Sequence, residues 1–472
     1  MMIRRSAIGS KLKALKRFRK LGETYMAVTT ETKQPNGIKG LYYRFYGNAP
    51  LLGILMGFLV CTLWEMIIGK ALASLLLLPK MPILFGLVTM SKVFAGLINL
   101  AIKGTPFEWS TLIHVPMALI YFSIIYAVPL AVVIRLSAKP ANAIARFLQQ
   151  LPLIVTALVH LGFMYAIFHF WAELSDYRLI SLKLTLIAVL LTLSLNIING
   201  YMGEFSCSHP GFMAVGAYMS SFFTVGLFVN DKVLGDALLG IPLAFLSFPL
   251  ALVFGGLCAS ASALIVAIPS FRTRGDYLAI ISLAFLFIIK SFFENMQSLG
   301  GSRGIMGQPD WATLPVIFMV VVIGVWAINN FVNSTLGKAL NAVRDDEMAA
   351  DAMTVDTRKT KMVAFLFGAF WAGLAGGLLA HVLRFINPAM FGIQKLAEVL
   401  AMVYFGGLNS VYGSIVGAVS ISLLGEVLRP LEILKWIFIP LLLILVMIYR
   451  PTGLVAFKEF NVRKAFGPKE VD

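Results

Sequence analysis

The sequence predicts an all-α fold, a polytopic transmembrane helical bundle of about ten spans plus a broken hairpin. Of its 472 residues, 59% are hydrophobic and only 13% are charged, and the mean hydropathy is +0.86. A soluble protein carries about 25% charged residues, because its surface faces water. Because this chain has about half that fraction of charged residues, its outer surface must face lipid. This excludes the several soluble domains that the length alone would suggest.

The charge balance is basic. Lys and Arg outnumber Asp and Glu by 39 to 23, a net charge of +16. In a soluble protein this excess would indicate a nucleic-acid partner, but in membrane proteins Lys and Arg collect in cytoplasmic loops, so no nucleic acid is expected. The cysteines Cys61, Cys207 and Cys258 share no metal-binding or redox spacing. Disulfides, a metal site and a cofactor are therefore not expected.

Residues 1–49 form a predicted basic, cytoplasmic N-terminal segment. Its first 47 residues hold eleven Lys/Arg against two acids, Glu23 and Glu31. Apolar residues at helical spacing between Arg4 and Lys20 fit an amphipathic helix on an anionic membrane surface. A solvated tail that only fixes orientation fits equally well. A cleavable signal peptide is not expected, because no apolar core follows these bases before residue 50.

Runs of about 20 mostly apolar residues, the length that crosses a bilayer, recur from residue 50 onward. Ten such runs are clear: 50–69, 112–134, 150–173, 177–199, 212–230, 237–268, 277–297, 312–332, 362–384 and 432–449. Stripes of small residues, Gly373/Gly377 in the run 362–384 and Gly413/Gly417 farther along the chain, predict close helix packing within the subunit.

Two further apolar stretches are interrupted. Residues 71–102 contain two prolines and two lysines between 79 and 92, which favours an interfacial helix over a span. Residues 397–428 are broken at 406–410 by Gly-Gly-Leu-Asn-Ser, which predicts two short helices around a break. The segment 50–176 is therefore predicted to be a transmembrane extension with interfacial helices.

The basic clusters test this layout, because such clusters stay on the cytoplasmic side. They lie at residues 135–146, at 272–274, at 338–361 and after Arg450. With the N-terminus inside, every cluster reaches the cytoplasm provided that 71–102 does not cross. Both termini, including a tail at 457–472, are then cytoplasmic.

Catalytic motifs are missing from the sequence. No phosphate-binding loop is present, since Gly337-Lys338 is followed by Ala339 and lacks the earlier glycine. No metalloprotease, nucleophile-elbow or paired-cysteine motif occurs either. The chain is therefore not expected to be an enzyme, and any ATP must be hydrolysed by another chain.

The longest hydrophilic segment between spans is residues 335–361. A short apolar stripe that includes Leu340 and Met353 alternates there with Arg344, Asp345, Asp346 and Glu347. An amphipathic helix of this kind fits a groove on a partner protein. Alternatively, it lies along the membrane surface or along the protein's own inner face.

The segment from Gly337 to Met353 resembles the coupling-loop motif of permease subunits in branched-chain amino acid ABC importers. Other segments match the same family in the order in which the family's motifs occur. Together they cover about residues 177–456, in the pattern of the M-type permease. They are Gly203 to Tyr218, Arg272 to Leu283, Gly300 to Gly304, Ala372 to Gly377, Glu398 to Gly407 and Tyr449 to Gly453.

The resemblance implies a permease core at 177–456 in a bacterial inner membrane. It implies a heterodimeric pore with an H-type sister permease, two cytoplasmic ATP-binding subunits and a periplasmic substrate-binding protein. Residues Gly337 to Val355 would be the coupling helix that sits in an ATPase groove. The implied coupling residues are Gly337, Ala339, Leu340, Arg344, Asp345, Asp346, Glu347, Ala350 and Met353.

A translocation pathway is expected where polar, irregular backbone interrupts apolar helices. Pro210 cannot donate a backbone N–H and disfavours helix at the residue before it. A broken helix at 200–211 would aim a helix terminus at a zwitterionic substrate, although a polar cytoplasmic turn fits equally well. The candidate pathway residues are Gly203, Glu204, Ser206, Ser208, His209 and Glu398.

Three other charges lie in or beside predicted spans. Lys290 and Glu294 are expected to pair at i,i+4 near the outer face, and Glu65 is expected to be interfacial. The sequence also departs from the family, since Leu286-Phe287 replaces its usual Gly-Glu pair. Urea, short amides and other small solutes are therefore alternative substrates. An ion-coupled secondary transporter is a second class, although few protonatable groups lie at mid-membrane. A membrane-embedded enzyme is a third class, and it would need a nucleophile–base set that the sequence lacks.

Overall fold

The computed structural model describes residues 49–78, 87–103, 109–228, 244–271, 277–450, 453–455 and 466–467. The predicted N-terminal amphipathic helix and most of the C-terminal tail lie outside these residues. Within them the chain is a helical bundle with one two-residue antiparallel pairing, β1 (Ile305–Met306) with β2 (Phe385–Ile386).

The N-terminal extension contributes five helices. They are α1 (Leu51–Leu75), α2 (Leu87–Lys103), α3 (Ser110–Phe122), α4 (Val128–Gln150) and α5 (Leu153–Glu173). A π-helical turn, Ser123–Ala127, joins α3 to α4. The predicted span 112–134 is thus part of a longer continuous helix, which runs on to Gln150.

The remaining helices begin with α6 (Asp176–Asn196), which is extended by a π-helical turn, Ile197–Met202. The others are α7 (His209–Phe228), α8 (Ala244–Ser270), α9 (Tyr277–Asn295), α10 (Leu314–Asn333), α11 (Thr335–Asp345), α12 (Glu347–Ala352), α13 (Thr357–Leu383), α14 (Ile393–Gly406), α15 (Val411–Val427) and α16 (Lys435–Tyr449). Short 3-10 turns precede α14 (Pro388–Phe391) and α16 (Arg429–Leu434).

Among the described residues, ten helices are long and apolar enough to cross a membrane, which confirms the predicted bundle of about ten spans. Nine of them overlap predicted spans. The tenth is Pro388–Gly406, the first arm of the predicted hairpin, whereas the predicted span 432–449 is the shorter apolar helix Ile437–Tyr449. The chain is a multi-pass membrane protein.

The predicted break in the hairpin is confirmed. α14 ends at Gly406 and α15 begins at Val411, where the Ser410 side chain accepts a hydrogen bond from the backbone N–H of Gly413. Gly407 has a φ of +123°, a conformation that favours glycine because other residues carry a Cβ. The position of α2, which covers the second half of 71–102, relative to the membrane stays a prediction.

The tightest packing lies among α7, α8 and α13. A methyl group added at Gly216 would overlap the backbone of Gly373, and one added at Gly376 would overlap the carbonyl group of Met213. Without a side chain at these positions, helix backbones approach each other closely. The small-residue stripe on α13 therefore packs inside this subunit, as the sequence predicts.

A buried ion pair joins the N-terminal extension to α6. The Arg178 guanidinium donates to both carboxylate oxygens of Glu65, at 3.0 and 2.8 Å, and the hydroxyls of Tyr121 and Tyr126 donate to the same carboxylate. Glu65 is fully buried. A partner 113 residues away in the chain holds the carboxylate inside the protein, whereas its expected interfacial position in the membrane stays a prediction.

Candidate functional site

The 335–361 loop forms two short helices, α11 and α12, rather than the single coupling helix that the resemblance implied. Three side chains set the boundaries. Ser334 accepts a hydrogen bond from the Gly337 N–H, Asp346 accepts from the N–H groups of the next turn, and Asp356 accepts from the Lys359 N–H. Asp346 is extended, with φ −158°, so it ends α11 and caps α12.

The loop has an inner and an outer face. Gly337, Leu340 and Ala350 are buried against the rest of the chain, and Ala339 and Arg344 are half-buried. The remaining coupling candidates are exposed, namely Asp345, Asp346, Glu347 and Met353. Met348 and Met353 are 77% and 78% exposed. The loop thus lies partly along its own subunit while presenting methionines and carboxylates outward.

The irregular segment 203–208 contacts this loop. Gly203 has a left-handed φ of +76°, and a Cβ there would overlap the side chain of Arg344. The Lys361 ammonium lies 2.7 Å from a carboxylate oxygen of Glu204 and 2.9 Å from one of Glu347. One buried lysine therefore joins the break after α6 to the N-terminus of α12.

Residues 206–208 of the irregular segment are buried, whereas Phe205 is exposed. The Ser206 N–H donates to the Asn199 amide oxygen at 3.1 Å, and the Ser206 and Ser208 hydroxyls lie 2.9 Å apart. The Cys207 N–H donates to the Ser282 hydroxyl at 2.9 Å. Burial raises the pKa of the Cys207 thiol, partly offset by Ser282.

His209 begins α7 and is fully buried, with its ring edge-on to Phe212. Helix therefore includes His209, although Pro210 follows it. The first turn of a helix tolerates proline, because its N–H has no intrahelical acceptor there. The predicted break itself is present and lies at 203–208.

A cavity of about 530 Å³ opens between this break, the loop and the broken hairpin. Gly203, Glu204, Arg344 and Asn409 are among its lining residues. We call the side of the bundle that carries the 335–361 loop the loop end, and this space the loop-end cavity.

Glu398 lies toward the opposite end of the bundle, the far end. It sits near the start of α14, whose last residue, Gly406, packs beside the loop-end hairpin break. Its carboxylate is 3.0 Å from the Lys395 ammonium. Both side chains line a second cavity of about 520 Å³, the far-end cavity, together with Tyr177, Glu426 and others.

Polar contacts between α6 and the hairpin separate the two cavities. The Asn196 amide donates to the Ser414 hydroxyl at 2.7 Å and to the Ser410 carbonyl at 3.0 Å. Its oxygen accepts from the Asn409 N–H at 3.3 Å. Asn196 is 1% exposed, so these contacts are buried between α6 and the hairpin.

The structure therefore divides the predicted pathway residues. Gly203 and Glu204 contact the 335–361 loop, Glu398 lies in the far-end cavity, and three buried residues (Ser206, Ser208 and His209) lie beside the loop end. Sequence reasoning missed Asn196 and Lys361. The signal for Asn196 was an amide inside an apolar run, since polar groups in a span need partners.

Two other observations complete the inventory. Lys290 and Glu294 pair at 3.6 Å, as predicted. Within the described part of the chain, no group of three or more His, Cys, Asp or Glu residues is placed to hold a metal ion.

Comparisons with known proteins bear on residues 177–447, which match the family profile described as branched-chain amino acid transport system / permease component. The high-affinity branched-chain amino acid transport system permease protein LivM of Escherichia coli K12 is 31% identical over 307 residues, covering 58% of this chain and 68% of LivM. The permease protein LivH of the same organism is 23% identical over 292 residues, covering 57% of this chain and 91% of LivH.

An archaeal relative is more distant. The probable branched-chain amino acid transport permease protein LivM of Methanocaldococcus jannaschii is 23% identical over 263 residues, covering 49% of this chain and 73% of the relative. No solved structure matches the chain. The profile match spans more than half of the chain and coincides with the helices that carry the 335–361 loop, both cavities and the broken hairpin. The chain therefore belongs to the family of branched-chain amino acid transport system permease components.

Proposed function

We propose that this chain is a permease subunit of an ATP-driven ABC importer for branched-chain or related amino acids. Its family membership and the names of its relatives support this function. Relatives named LivM and LivH both match the chain, which supports a pore shared with an H-type sister permease.

The observation that carries the proposal is the outer face of the 335–361 loop. Met348 and Met353 are more than three-quarters exposed on a segment too hydrophilic to enter lipid. Flexible methionine side chains are common at protein-binding surfaces, and a short amphipathic helix fits a groove on a partner. Two cytoplasmic ATP-binding subunits supply the energy, one of them docked on this loop.

Some side chains of the loop bind the ATP-binding subunit, and others transmit its movement to the spans. Met353, Asp345, Asp346 and Glu347 face outward and contact the ATP-binding subunit. The loop is held on its own bundle by its buried and half-buried residues, which are Gly337, Ala339, Leu340, Arg344 and Ala350. Movement of the docked loop then displaces the spans on either side as rigid bodies.

The pathway runs between the far-end and loop-end cavities along α6 and the broken hairpin. Glu398 lies at its entrance, and Gly203 and Glu204 lie at its exit. Ser206, Ser208 and His209 support the backbone of the break beside that exit. The contacts of Asn196 hold it closed in the conformation described here.

The orientation follows from the basic loops. The 335–361 loop and both termini are cytoplasmic, because Lys and Arg clusters stay inside. The far end then faces the periplasm, where a substrate-binding protein delivers its cargo. The membrane is the bacterial inner membrane.

Co-purification tests the proposal directly. Met348→Asp and Met353→Asp introduce charge on the outer face without touching buried contacts. Candidate ATP-binding subunits from the same organism are co-expressed with each variant. We expect the amount of ATP-binding subunit that co-purifies with each variant to be less than about a tenth of the amount that co-purifies with the wild-type chain. The matched control is Met306→Asp, which changes another exposed methionine (63%) outside the loop.

Two results would overturn the proposal. One is full ATPase retention in the Met348→Asp/Met353→Asp double variant. The other is uphill transport by the purified chain alone, which would place the energy source inside this polypeptide.

A further inference from the structure

The rim of the far-end cavity carries two ion pairs, one on each of two walls. On α14, Lys395 and Glu398 lie 3.0 Å apart. At the end of α15, Arg429 and Glu426 lie 3.5 Å apart, and the Tyr177 hydroxyl donates to the same Glu426 carboxylate. All five residues line the cavity. Lys435 lines the cavity as well, so the lining offers three cations and two carboxylates to a ligand.

Below the rim the cavity becomes apolar. From Tyr177 to Leu191 the lining descends along α6 for fourteen residues, which is about 21 Å at 1.5 Å per residue. Its volume of about 520 Å³ falls within the range of about 300–1,000 Å³ that is usual for small-molecule sites. The apolar wall is built by Leu184, Ala188, Leu191, Met213, Leu379 and Leu383.

The rim pairs are weak enough to exchange partners. Lys395 is 22% exposed and Glu398 32%, and pairs at this exposure on neighbouring helical turns contribute little net stability. A zwitterion brings one charge of each sign, so it can insert between the pairs while every charge keeps an opposite neighbour. A ligand with a single charge can make only one of these two charged contacts.

We infer that the far-end cavity binds an amino acid in zwitterionic form with an aliphatic side chain. The inference rests on the proposed function, and it places the substrate site inside this chain. Glu398 accepts the α-ammonium group, Arg429 binds the α-carboxylate, and the apolar wall holds the side chain.

The assignment of each charge follows from side-chain chemistry. The guanidinium fork of Arg429 matches the two oxygens of a carboxylate, and its stacking over the Tyr177 ring, 5.3 Å from the centroid, fixes its position. Glu398 stands on the other wall, so a ligand held by both residues bridges α14 to the end of α15. The aliphatic chain then points down toward Leu191.

Photolabelling of the permease–ATPase complex in nanodiscs, without the binding protein, tests the site itself. The probe is a diazirine analogue of L-leucine, and the labelled peptides are identified by mass spectrometry. We expect label within 184–191, 379–383 or at Met213, and suppression by excess L-leucine. Label confined to other segments would overturn the inference, even if every variant below failed to fold.

Competition separates the two charged contacts. L-leucinamide lacks the carboxylate and 4-methylpentanoate lacks the ammonium group, and each should compete about tenfold less well than L-leucine, the loss expected for one charge-assisted hydrogen bond. In Arg429→Gln the preference for leucine over leucinamide should vanish. In Glu398→Gln the preference for leucine over 4-methylpentanoate should vanish.

Glu294→Gln is the matched control. It removes the same charge from a pair of similar exposure, Lys290 and Glu294, which does not line this cavity. Both preferences should persist in the control. Preferences unchanged in Arg429→Gln and Glu398→Gln would contradict the inference.

A separate measurement distinguishes this inference from the proposed function. ATP-driven leucine uptake by the full assembly reports on the function alone. If the wild-type assembly takes up leucine but the label lies outside the cavity, only the proposed site is contradicted. If the label lies in the cavity but no ATP-driven uptake occurs, only the proposed function is contradicted.

Discussion

The ammonium group of Lys361 lies 2.7 Å from a carboxylate oxygen of Glu204, although 157 residues separate the two in sequence. Lys361 is in the first turns of α13 and is the last residue of the 335–361 loop, and Glu204 is in the break between α6 and α7. A second contact at 2.9 Å ties the same ammonium to Glu347 of α12. The loop and the break are thus joined through one charge.

Loss of the positive charge of Lys361 should uncouple ATP hydrolysis from transport. Lys361→Met leaves Glu204 without its lysine partner, and hydrogen bonds to charged groups contribute about 1.5–3 kcal/mol each. We expect solute transported per ATP hydrolysed to fall at least about tenfold in proteoliposomes, with ATPase binding retained. Lys359→Met, an exposed lysine two residues away, should behave as wild type. Equal coupling ratios in the two variants would refute the link.

The buried pair Glu65–Arg178 should respond cooperatively to substitution. Arg178→Leu alone leaves a buried carboxylate, and such losses cost about 3–5 kcal/mol in free energy of unfolding. Replacing both partners by leucine removes both charges, so Glu65→Leu/Arg178→Leu should recover most of that loss. Thermal denaturation in detergent measures the effect. A double variant no more stable than Arg178→Leu would contradict this account.

Gly376 and Gly162 should respond oppositely to the same substitution. A methyl group at Gly376 would overlap the Met213 carbonyl and lie 3.0 Å from the Ala217 nitrogen, whereas nothing lies within 4 Å of one at Gly162. Gly376→Ala should therefore destabilise by about 1–3 kcal/mol or more. Gly162→Ala, inside α5, should be neutral or stabilising by up to about 1 kcal/mol. Thermal unfolding of both variants would check the contrast.

The contacts of Asn196 with the hairpin should control access to Cys207. Burial raises the pKa of that thiol, so its reactive thiolate is scarce at pH 8. Asn196→Ala removes the hydrogen bonds to Ser410 and Ser414, and the opening it permits would hydrate Cys207 and lower the pKa toward its usual value.

Labelling by a small maleimide, followed by mass spectrometry of the Cys207 peptide, measures this effect. We expect the rate to rise severalfold in Asn196→Ala, since the thiolate is the reacting form. Asn333→Ala is the control, because that exposed amide bonds within its own helix. An unchanged rate in Asn196→Ala would show that these contacts do not hold the passage closed.

The features predictable from sequence are those with local causes. The break at 406–410 follows from its glycines and the Lys290–Glu294 pair from i,i+4 spacing. The split of the loop at Asp346 was also within reach, since Asp is a strong N-cap residue, but the resemblance favoured one helix.

Contacts between distant segments could not be predicted. The position of Glu65 near the end of the predicted span 50–69 carried no information about Arg178, and Lys361 appeared to be one more cytoplasmic base. Hydrophobic periodicity reports which face of a helix is apolar, but it does not identify the neighbouring helix. Arg178 and Lys183, both buried in a mostly apolar helix, were the available hint, because charges in a span require partners.

The bond between Glu65 and Arg178 also constrains protein engineering. A chimaera that grafts residues 177–456 onto the N-terminal half of a related transporter would carry the arginine but not its acid. Unless the donor half supplies a carboxylate at the matching position, the buried Arg178 loses its ion-pair partner, at a cost of about 3–5 kcal/mol. Successful exchange of these halves therefore requires that Glu65 and its two tyrosines travel with the graft.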